Sequence, residues 1–267
     1  MDPSLKDRVV LVTGGSKGIG AAIVRKFAQE GATTAFCARQ SDELAALETE
    51  MRSSGANCFA IPTDVFKADE IEKCVNAVAE KWGRLDLLVN NVGGALRFGA
   101  FEDLSDEDWL RTFEFNVLSV VRFTRAALPH LRRSPLRRII NVSSISAVQP
   151  GLFNPHYSSS KAAAVNLGKH LANVLAKENI LVNTICAGPV HSDSWDQNIK
   201  YVAAQNGITE IQARAKMEIS EAAKIPLGIV GEGEHIASAV IFLASPGSAW
   251  TTGSCFHING GKLSTAF

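Results

Sequence analysis

The stretch "VVLVTGGSKGIG", residues 9–20, decides the fold that we expect for this chain of 267 residues. An apolar run typical of a buried strand leads directly into a glycine-rich turn. Ile19, Ile23 and Phe27 then recur at four-residue intervals, and Gly31 follows as a helix-ending residue, which predicts a helix over 18–30. The stretch therefore predicts a buried strand, a tight turn and a helix.

The same alternation of apolar runs and helical patterns continues along the whole sequence. Six further strands are predicted, at "TTAFCA" (33–38), "NCFAIPTDV" (57–65), "LDLLVNN" (85–91), "RRIINVSS" (137–144), "ILVNTICAG" (180–188) and "SCFHING" (254–260). Helices are predicted over about 42–51, 68–81, 105–131, from 155 onwards, and over 234–244. Apolar strands separated by helices form parallel sheets that are covered on both faces. We therefore predict an α/β fold: a single doubly wound Rossmann domain over 1–267, with a mostly parallel seven-stranded sheet and helices on both faces.

One longer segment, about 189–229, interrupts this alternation between the sixth strand and the last helix. It lies beyond the carboxyl end of a strand, which is where such sheets bind ligands, so we expect a substrate lid there. Trp195, Ile199 and Ile208 favour an apolar substrate, although ordinary core packing explains them equally well.

Composition excludes several classes of function. Lys+Arg and Asp+Glu number 27 each, so no overall field attracts nucleic acid or an anionic membrane. The five cysteines form no CxxC and the histidines are dispersed, so neither a disulfide framework nor a metal site is expected. The first residues do not resemble a signal peptide, and no run of 18 apolar residues occurs. We expect a soluble cytoplasmic protein with no membrane or nucleic-acid partner.

The turn after the first strand is a candidate phosphate-binding loop. Gly14, Gly18 and Gly20 have GxxxGxG spacing, with Ser16, Lys17 and Ile19 between them. Backbone without side chains lets a pyrophosphate approach, and the following helix N-terminus offers free N–H groups and a positive dipole end. A glycine-rich turn that binds no ligand is the alternative.

The residues after the second strand favour NADP(H), with NAD(H) also possible. The acidic residue that would hold a ribose 2′-hydroxyl is absent from "FCARQ". Arg39 stands there instead, and Lys17 lies in the glycine loop. One or two charge-assisted hydrogen bonds to a 2′-phosphate, each worth about 1.5–3 kcal/mol, favour NADP(H) by roughly ten- to a thousandfold. The alternative is two solvated surface charges.

The segment "NPHYSSSKAAAV", residues 154–165, contains one of the chain's two tyrosines. Asn154 is predicted as the N-cap of a helix, which places Tyr157 and Lys161 four residues apart on one face. A lysine one turn away would lower the pKa of the phenol and fit Tyr157 for proton transfer to or from an oxygen. Ser144, at the end of the fifth strand, would orient that oxygen. Taken alone, a tyrosine and a lysine so spaced more often reflect packing and a solvated charge.

Together, "TGGSKGIG", "NNVG" (90–93), Asn116, Ser144 and "YSSSK" (157–161) resemble the short-chain dehydrogenase/reductase family. The resemblance extends from Leu5 to about Gly261 and is broadly to 3-oxoacyl thioester reductase-like members. It implies a Ser144–Tyr157–Lys161 triad, with Asn116 linking Lys161 to a proton-relay water and Lys161 also binding the nicotinamide ribose. Further cofactor contacts that it implies are Asp64, Val65, Asn91, Gly93, Gly188, Val190 and Ser192.

The resemblance also implies a homodimer or homotetramer. Val92, Ala187 and Ser192 depart from the family's usual residues, but none of these changes removes a catalytic group. We therefore expect an NADP(H)-dependent oxidoreductase that transfers hydride between nicotinamide and a ketone or secondary alcohol, on an apolar or acyl substrate, with Tyr157 as general acid/base. The alternative is a non-catalytic NAD(P)-binding sensor or scaffold; dehydratase or epimerase chemistry on a nucleotide sugar usually needs a longer chain.

Overall fold

Seven strands form a single sheet in the computed structural model, which describes residues 5–265. The strands are β1 Val9–Thr13, β2 Thr33–Ala38, β3 Cys58–Pro62, β4 Leu87–Asn90, β5 Arg138–Ser144, β6 Leu181–Ala187 and β7 Cys255–Ile258. Their order is β3-β2-β1-β4-β5-β6-β7, and each neighbouring pair is parallel. The predicted Rossmann sheet is confirmed, and the reversal of strand order between β1 and β4 opens a crevice at its carboxyl edge. The outermost residues of the predicted domain, 1–4 and 266–267, lie outside the described part.

Helices cover both faces of the sheet. They are α1 Gly18–Gln29, α2 Asp42–Ser53, α3 Ala68–Trp82, α4 Asp106–Phe113, α5 Ser119–Leu131, α6 Pro155–Leu175, α7 Asp193–Asn206, α8 Glu210–Ala222 and α9 Gly233–Ala244. Alternate residues of β1 point into two cores: Val10 and Val12 pack with α1 and α9, and Val9 and Leu11 with α3, α5 and α6. None of the helices in residues 5–265 is long and apolar enough to cross a membrane.

The long helix predicted over 105–131 is present but not regular. Ser105 and Asp108 cap its start, as expected, and α4 and α5 follow each other without a loop. Between them, Glu114–Leu118 forms a π-helical turn, which contains the buried Asn116. Such turns hold one residue more than an α-helical turn and often occur at functional sites. The apolar spacing of the sequence does not reveal it.

The segment 189–229, predicted as a substrate lid and called the lid below, forms the helices α7 and α8 and packs, together with Val230, around a small core. This lid core consists of Trp195, Ile199, Ala203, Ala213, Met217, Ile225 and Val230. Ile199 is only 1% exposed within it. The packing alternative considered for this segment therefore explains part of its apolar pattern.

Candidate active site

One cavity of about 1460 Å³, at the carboxyl edge of the sheet, brings the predicted site residues together. Ser144 lines it, as does every residue predicted to contact the cofactor: Gly14, Ser16, Lys17, Gly18, Ile19, Gly20, Arg39, Asp64, Val65, Asn91, Gly93, Tyr157, Lys161, Gly188, Val190 and Ser192. Asn116 is buried and does not line the cavity. These residues converge because the carboxyl ends of parallel strands meet at one edge.

The glycine loop leaves the N-terminus of α1 open for a ligand. Lys17, the N-cap residue, makes no side-chain capping bond, and the first turn contains no acidic residue. Gly14 and Gly18 have φ values of 63° and 55°, which favour glycine. A side chain at Gly20 would overlap the carbonyl of Gly14. Uncapped N–H groups at a positive dipole end suit the pyrophosphate of a dinucleotide.

Asn91 holds this loop in position. Its side-chain amide donates to the carbonyls of Thr13 and Gly14, each at 3.0 Å, and its backbone N–H donates to Thr13 Oγ1 at 3.0 Å. The sequence predicted Asn91 as a cofactor contact, and its support of the glycine loop was missed. The bonds reach from the end of β4 to the end of β1, which are neighbours in the sheet.

The two cations predicted to favour NADP(H) lie in different surroundings. Arg39 is exposed at the end of β2, and its side chain makes no hydrogen bond or ion pair within residues 5–265. Lys17 Nζ lies 2.6 Å from Asp193 Oδ1, on the first turn of α7. Glu43 lines the same end of the cavity. Arg39 is therefore free to meet a phosphate, whereas Lys17 already has an anionic partner.

Tyr157, Lys161 and Ser144 meet deeper in the cavity. Lys161 is 4% exposed, and its Nζ lies 5.8 Å from the centroid of the Tyr157 ring. That ammonium donates to the carbonyl of Val142 at 3.2 Å. Ser144 Oγ, at the end of β5, accepts from Ser146 N–H at 3.1 Å. A phenol, a buried ammonium and a hydroxyl thus surround one small volume that can receive a carbonyl oxygen.

The helix that carries Tyr157 and Lys161 begins as predicted, but its N-cap acts differently. Pro155 is the first residue of α6, and Asn154 precedes it in the left-handed conformation, with φ 58°. The Asn154 side chain makes no capping bond; its Oδ1 accepts from Gly99 N–H at 3.1 Å. Asn154 therefore fastens the start of α6 to the loop after β4. The predicted N-cap position of Asn154 is confirmed, although its side chain does not cap the helix.

Burial, more than charge, sets the pKa values in this cluster. It raises the pKa of Tyr157 above its ordinary value, and the hydrogen bond with Ser144 offsets this only in part. Burial also lowers the pKa of Lys161 to about 8. The predicted lowering of the tyrosine pKa by Lys161 is therefore wrong for this structure, because the cost of a buried phenolate dominates. Tyr157 is a protonated donor at neutral pH.

Asn116 joins the π-helical turn to two other parts of the site. Its Oδ1 accepts from Gly94 N–H at 2.8 Å, and its Nδ2 donates to the Gly94 carbonyl at 3.0 Å and to Ser160 Oγ at 2.9 Å. A Cβ on Gly93 would lie 2.5 Å from Lys161 Nζ and 2.7 Å from Asn116 Oδ1. Glycine at position 93 therefore lets the lysine and the asparagine approach the same short backbone segment.

Loop 188–192, beyond β6, connects the cavity to the lid. Val190 is buried and pairs with Gly231 in an isolated bridge. Ser192 Oγ caps α7 by accepting from Trp195 N–H at 3.4 Å. His191 lies between two carboxylates, with Nδ1 2.6 Å from Glu232 and Nε2 2.9 Å from Glu218 on α8. The sequence did not predict this double contact.

The cavity also has an aromatic wall and a charged end. Phe98 stacks on Tyr201 with ring centroids 5.4 Å apart, and Phe153 meets Tyr201 edge-on at 6.4 Å. The charged end contains Glu221, Lys224 and Lys262, and the uncharged Gln149 also lines the cavity. Ile199 and Ile208 do not line the cavity, so the apolar pocket predicted from the lid is present only in part.

Glu221 forms ion pairs with both lysines at the charged end of the cavity. It bonds to Lys224 at 2.8 Å and also to Lys262, whose side chain is only 18% exposed. No motif in the sequence indicated these residues. His156, weighed as a second proton carrier, is buried against Trp109 with ring centroids 6.0 Å apart and does not line the cavity.

Comparison with known proteins finds similarity over nearly the whole chain. The family model for short chain dehydrogenases matches residues 8–203. A 3-oxoacyl-acyl-carrier-protein reductase of Vibrio harveyi is 30% identical over 258 residues, which cover 97% of this chain and 98% of that protein.

Two solved structures extend this similarity to three dimensions. L-sorbose reductase from Gluconobacter frateurii, solved with NADPH and L-sorbose, has a TM-score of 0.92 and 31% identity, covering 99% of this chain and 100% of its own. A short chain dehydrogenase from Burkholderia cenocepacia, solved with NADP, has a TM-score of 0.85 and 30% identity, covering 97% and 99%.

Proposed function

The chain belongs to the short-chain dehydrogenase/reductase family, and on that premise we propose that it is an NADP(H)-dependent oxidoreductase that interconverts a ketone and a secondary alcohol. The observation that carries the proposal is the position of Lys161 Nζ, 5.8 Å from the centre of the Tyr157 ring, in the same cavity as the glycine loop. A protein that only senses nucleotide has no need of a buried ammonium beside a phenol.

The residues of the cavity fit NADP(H). The loop from Gly14 to Gly20 would hold the pyrophosphate at the start of α1, and Arg39 would meet the 2′-phosphate with Lys17. The two similar structures described above contain NADPH and NADP, which supports this choice over NAD(H). When bound, the nicotinamide gives or takes the hydride.

The chain's own residues would handle the proton. Because burial keeps Tyr157 protonated at neutral pH, its hydroxyl can donate a hydrogen bond, and then the proton, to a carbonyl oxygen as that oxygen gains negative charge. Ser144 would hold the same oxygen with a second hydrogen bond. Lys161 would stabilise the phenolate that remains, and Asn116 would position the backbone beside Lys161. In alcohol oxidation the same groups act in reverse.

Replacing Tyr157 by phenylalanine tests this assignment against the sensor alternative. We expect Tyr157→Phe to lose at least a hundredfold in kcat with NADPH and a ketone panel, while its NADPH affinity changes less than threefold. Tyr201→Phe is the matched control, since Tyr201 is the chain's other tyrosine and lines the same cavity. It should keep its kcat within about tenfold. Wild-type protein that binds NADPH but reduces no ketone would support the sensor instead.

We further propose that the substrate carries an apolar part near its carbonyl and an anionic group at the far end. The aromatic wall of Phe98, Phe153 and Tyr201 would pack against the first. Lys262 and Lys224 share one carboxylate, Glu221, so this end retains a net positive charge. This refines the predicted apolar or acyl substrate.

A pair of compounds that differ only in charge tests the substrate class. A keto carboxylate with an apolar chain between its ketone and its carboxylate should have a KM about tenfold below that of its ethyl ester, and Lys262→Gln should remove this difference without changing kcat for the ester. Glu221 keeps Lys224 as a partner in this variant. Equal KM values for acid and ester would reject the anionic group while leaving the reductase assignment standing.

We also propose a homo-oligomer in the cytoplasm. Leu110, Leu118 and Val174, on or beside the helices α4 to α6, are 72%, 44% and 51% exposed. Exposed apolar side chains of this kind on neighbouring helices suit a subunit interface. Light scattering after size exclusion should give two or four times the chain mass of 28.6 kDa. A monomer at micromolar concentration would reject this proposal.

A further inference from the structure

Three potential metal ligands, which the sequence analysis regarded as dispersed, lie side by side on β6 and β7. Cys186 Sγ is 3.3 Å from Cys255 Sγ, and Cys255 Sγ is 3.7 Å from His257 Nε2. The three donor atoms all lie within 4.8 Å of one another. None of the three lines the cavity of the candidate active site, although Cys186 lies close enough to Tyr157 and Lys161 to influence their pKa values.

The register of the two strands creates this cluster. Cys186 pairs directly with His257, and Cys255 stands two residues before His257 on the same strand. Side chains two residues apart on a strand share one face, as do those of paired residues. All three donors therefore point to the same side of the sheet edge, where Cys186 is buried and Cys255 is exposed.

The same register argues against a disulfide. Cys255 pairs with Thr184, so the two cysteines are diagonal neighbours. Strands lie about 4.8 Å apart and rise about 3.3 Å per residue, so Cα atoms offset by two positions lie roughly 8 Å apart, which exceeds the Cα separation of about 4.4–6.8 Å that a disulfide spans. A bridge between the two sulfur atoms requires either strand movement or an atom between them.

We propose that Cys186, Cys255 and His257 bind a zinc ion. In a tetrahedral site with Zn–S about 2.3 Å and Zn–N about 2.0–2.1 Å, neighbouring ligand atoms lie roughly 3.5–3.8 Å apart. The observed 3.3 and 3.7 Å are close to those separations. Thiolate and imidazole ligands select zinc over magnesium and calcium, which prefer oxygen. Because β7 is the edge strand and Cys255 is exposed, the fourth position faces solvent and takes water.

Zinc binding by these three residues is a ligand exchange in which atoms and charges balance. Each cysteine releases its S–H proton to solvent and forms a Zn–S bond, and neutral His257 donates the lone pair of Nε2; no electrons are transferred. The metal displaces both thiol protons as it binds.

Cobalt(II) is the probe, since its absorption reports thiolate ligands without any measurement of turnover. Full-length protein, reduced and treated with chelator, should bind one equivalent of Co²⁺ with thiolate-to-cobalt charge-transfer absorption and the visible bands of a tetrahedral ion, and Zn²⁺ should displace it. Cys255→Ser should lose most of this charge-transfer absorption. His257→Gln should weaken binding at least tenfold.

Two controls keep the result specific. Cys58→Ser alters a cysteine at the opposite edge of the sheet, on β3, and should leave the spectrum unchanged. Each variant is accepted only if its circular dichroism matches wild type; Cys255, being exposed, gives a usable variant even if Cys186→Ser fails to fold.

Three results would each overturn the zinc site. The first is absence of the charge-transfer band in wild type, and the second is its persistence in Cys255→Ser. The third is loss of both thiols as a disulfide in chelated protein.

Discussion

Lys17 Nζ lies 2.6 Å from Asp193 Oδ1, so an ion pair joins the glycine loop to the first turn of the lid. Both side chains are substantially exposed, at 48% and 37%, and such a pair contributes only about 0–1 kcal/mol to stability. The pair matters because Asp193 and a 2′-phosphate would compete for the same ammonium: a phosphate that binds Lys17 must displace Asp193. The phosphate loop and the lid therefore compete for one cation.

Asp193→Asn should tighten the binding of NADPH by about two- to fivefold and leave the binding of NADH unchanged. The substitution removes the competing charge, which is worth at most about 1 kcal/mol at this exposure. Parallel fluorescence titrations with the two cofactors, at one salt concentration, measure the difference. Lys17→Met is the counterpart and should weaken NADPH binding selectively. Equal changes for both cofactors would contradict the competition.

Lys161→Met should abolish turnover yet make the protein at least as stable as wild type near neutral pH. The buried ammonium costs on the order of 3 kcal/mol in the folded state at pH 7, and the one hydrogen bond that it makes within residues 5–265 is to the Val142 carbonyl. Thermal unfolding and steady-state kinetics on the same samples test both parts.

The stability difference between wild type and Lys161→Met should shrink as pH rises from about 8 to about 10.5. The pKa of Lys161 is lowered to about 8 on folding, from an ordinary value of 10.5. Between these values the unfolded chain binds more protons than the folded protein, so the free energy of unfolding of wild type rises with pH relative to the variant. A difference that stays constant across this window would place the ammonium in a hydrated position.

Ketone reduction should fall on the alkaline side with an apparent pKa near 8 in the profile of kcat/KM. That profile reports the free enzyme. In it Lys161 loses its proton and its charge near this pH, whereas Tyr157 keeps its proton. Without the lysine charge, the phenolate left by proton donation is less stable. An alkaline limb only above the ordinary tyrosine range would instead assign the titration to Tyr157.

The contacts of His191 should stabilise the lid more in acid than in alkali. Burial lowers the pKa of His191, but the hydrogen bonds and charges of Glu218 and Glu232 outweigh it, so the pKa is raised overall. Trp195 packs against the ring as an uncharged neighbour, with ring centroids 5.8 Å apart. The stabilisation is therefore complete below the unfolded value of about 6.5 and is lost as pH rises through the higher folded value.

His191→Gln measures that contribution. Because the ring is about one-third exposed, we expect the variant to lower Tm by about 1–3 °C at pH 6 and by less at pH 9. Glu218→Gln should show the same trend, since it removes one of the two carboxylates. A loss of Tm that is independent of pH would assign His191 a purely steric role.

Much of the fold and site could be predicted because both depend on local patterns. The apolar run and glycine spacing at 9–20 were enough to predict β1, the loop and α1, and parallel strand ends then had to bring Ser144, Tyr157 and Lys161 together. The π-helical turn at Asn116 escaped prediction because one extra residue leaves the apolar spacing nearly unchanged. The raised pKa of Tyr157 escaped because burial is a property of the packed structure.

Contacts between segments that are distant in the sequence could not be predicted either. Neither the partner of Lys17 nor the pairing of Lys262 with Glu221 belongs to any motif, and both depend on how the lid packs against the sheet edge. Cys186 and Cys255 lie in separate strands whose register no sequence pattern specifies. The contacts that the sequence did not predict are therefore pairs of polar side chains from distant parts of the chain.

The separate lid core has an evolutionary consequence. Within residues 5–265 it shares no buried side chain with the two cores that flank the sheet. A mutation of Trp195 or Met217 therefore changes packing within the lid core, while the two cores that flank the sheet keep their contacts. Descendants of one ancestral enzyme can thus acquire new substrates by changes in this small module, while the two cores that flank the sheet keep their packing.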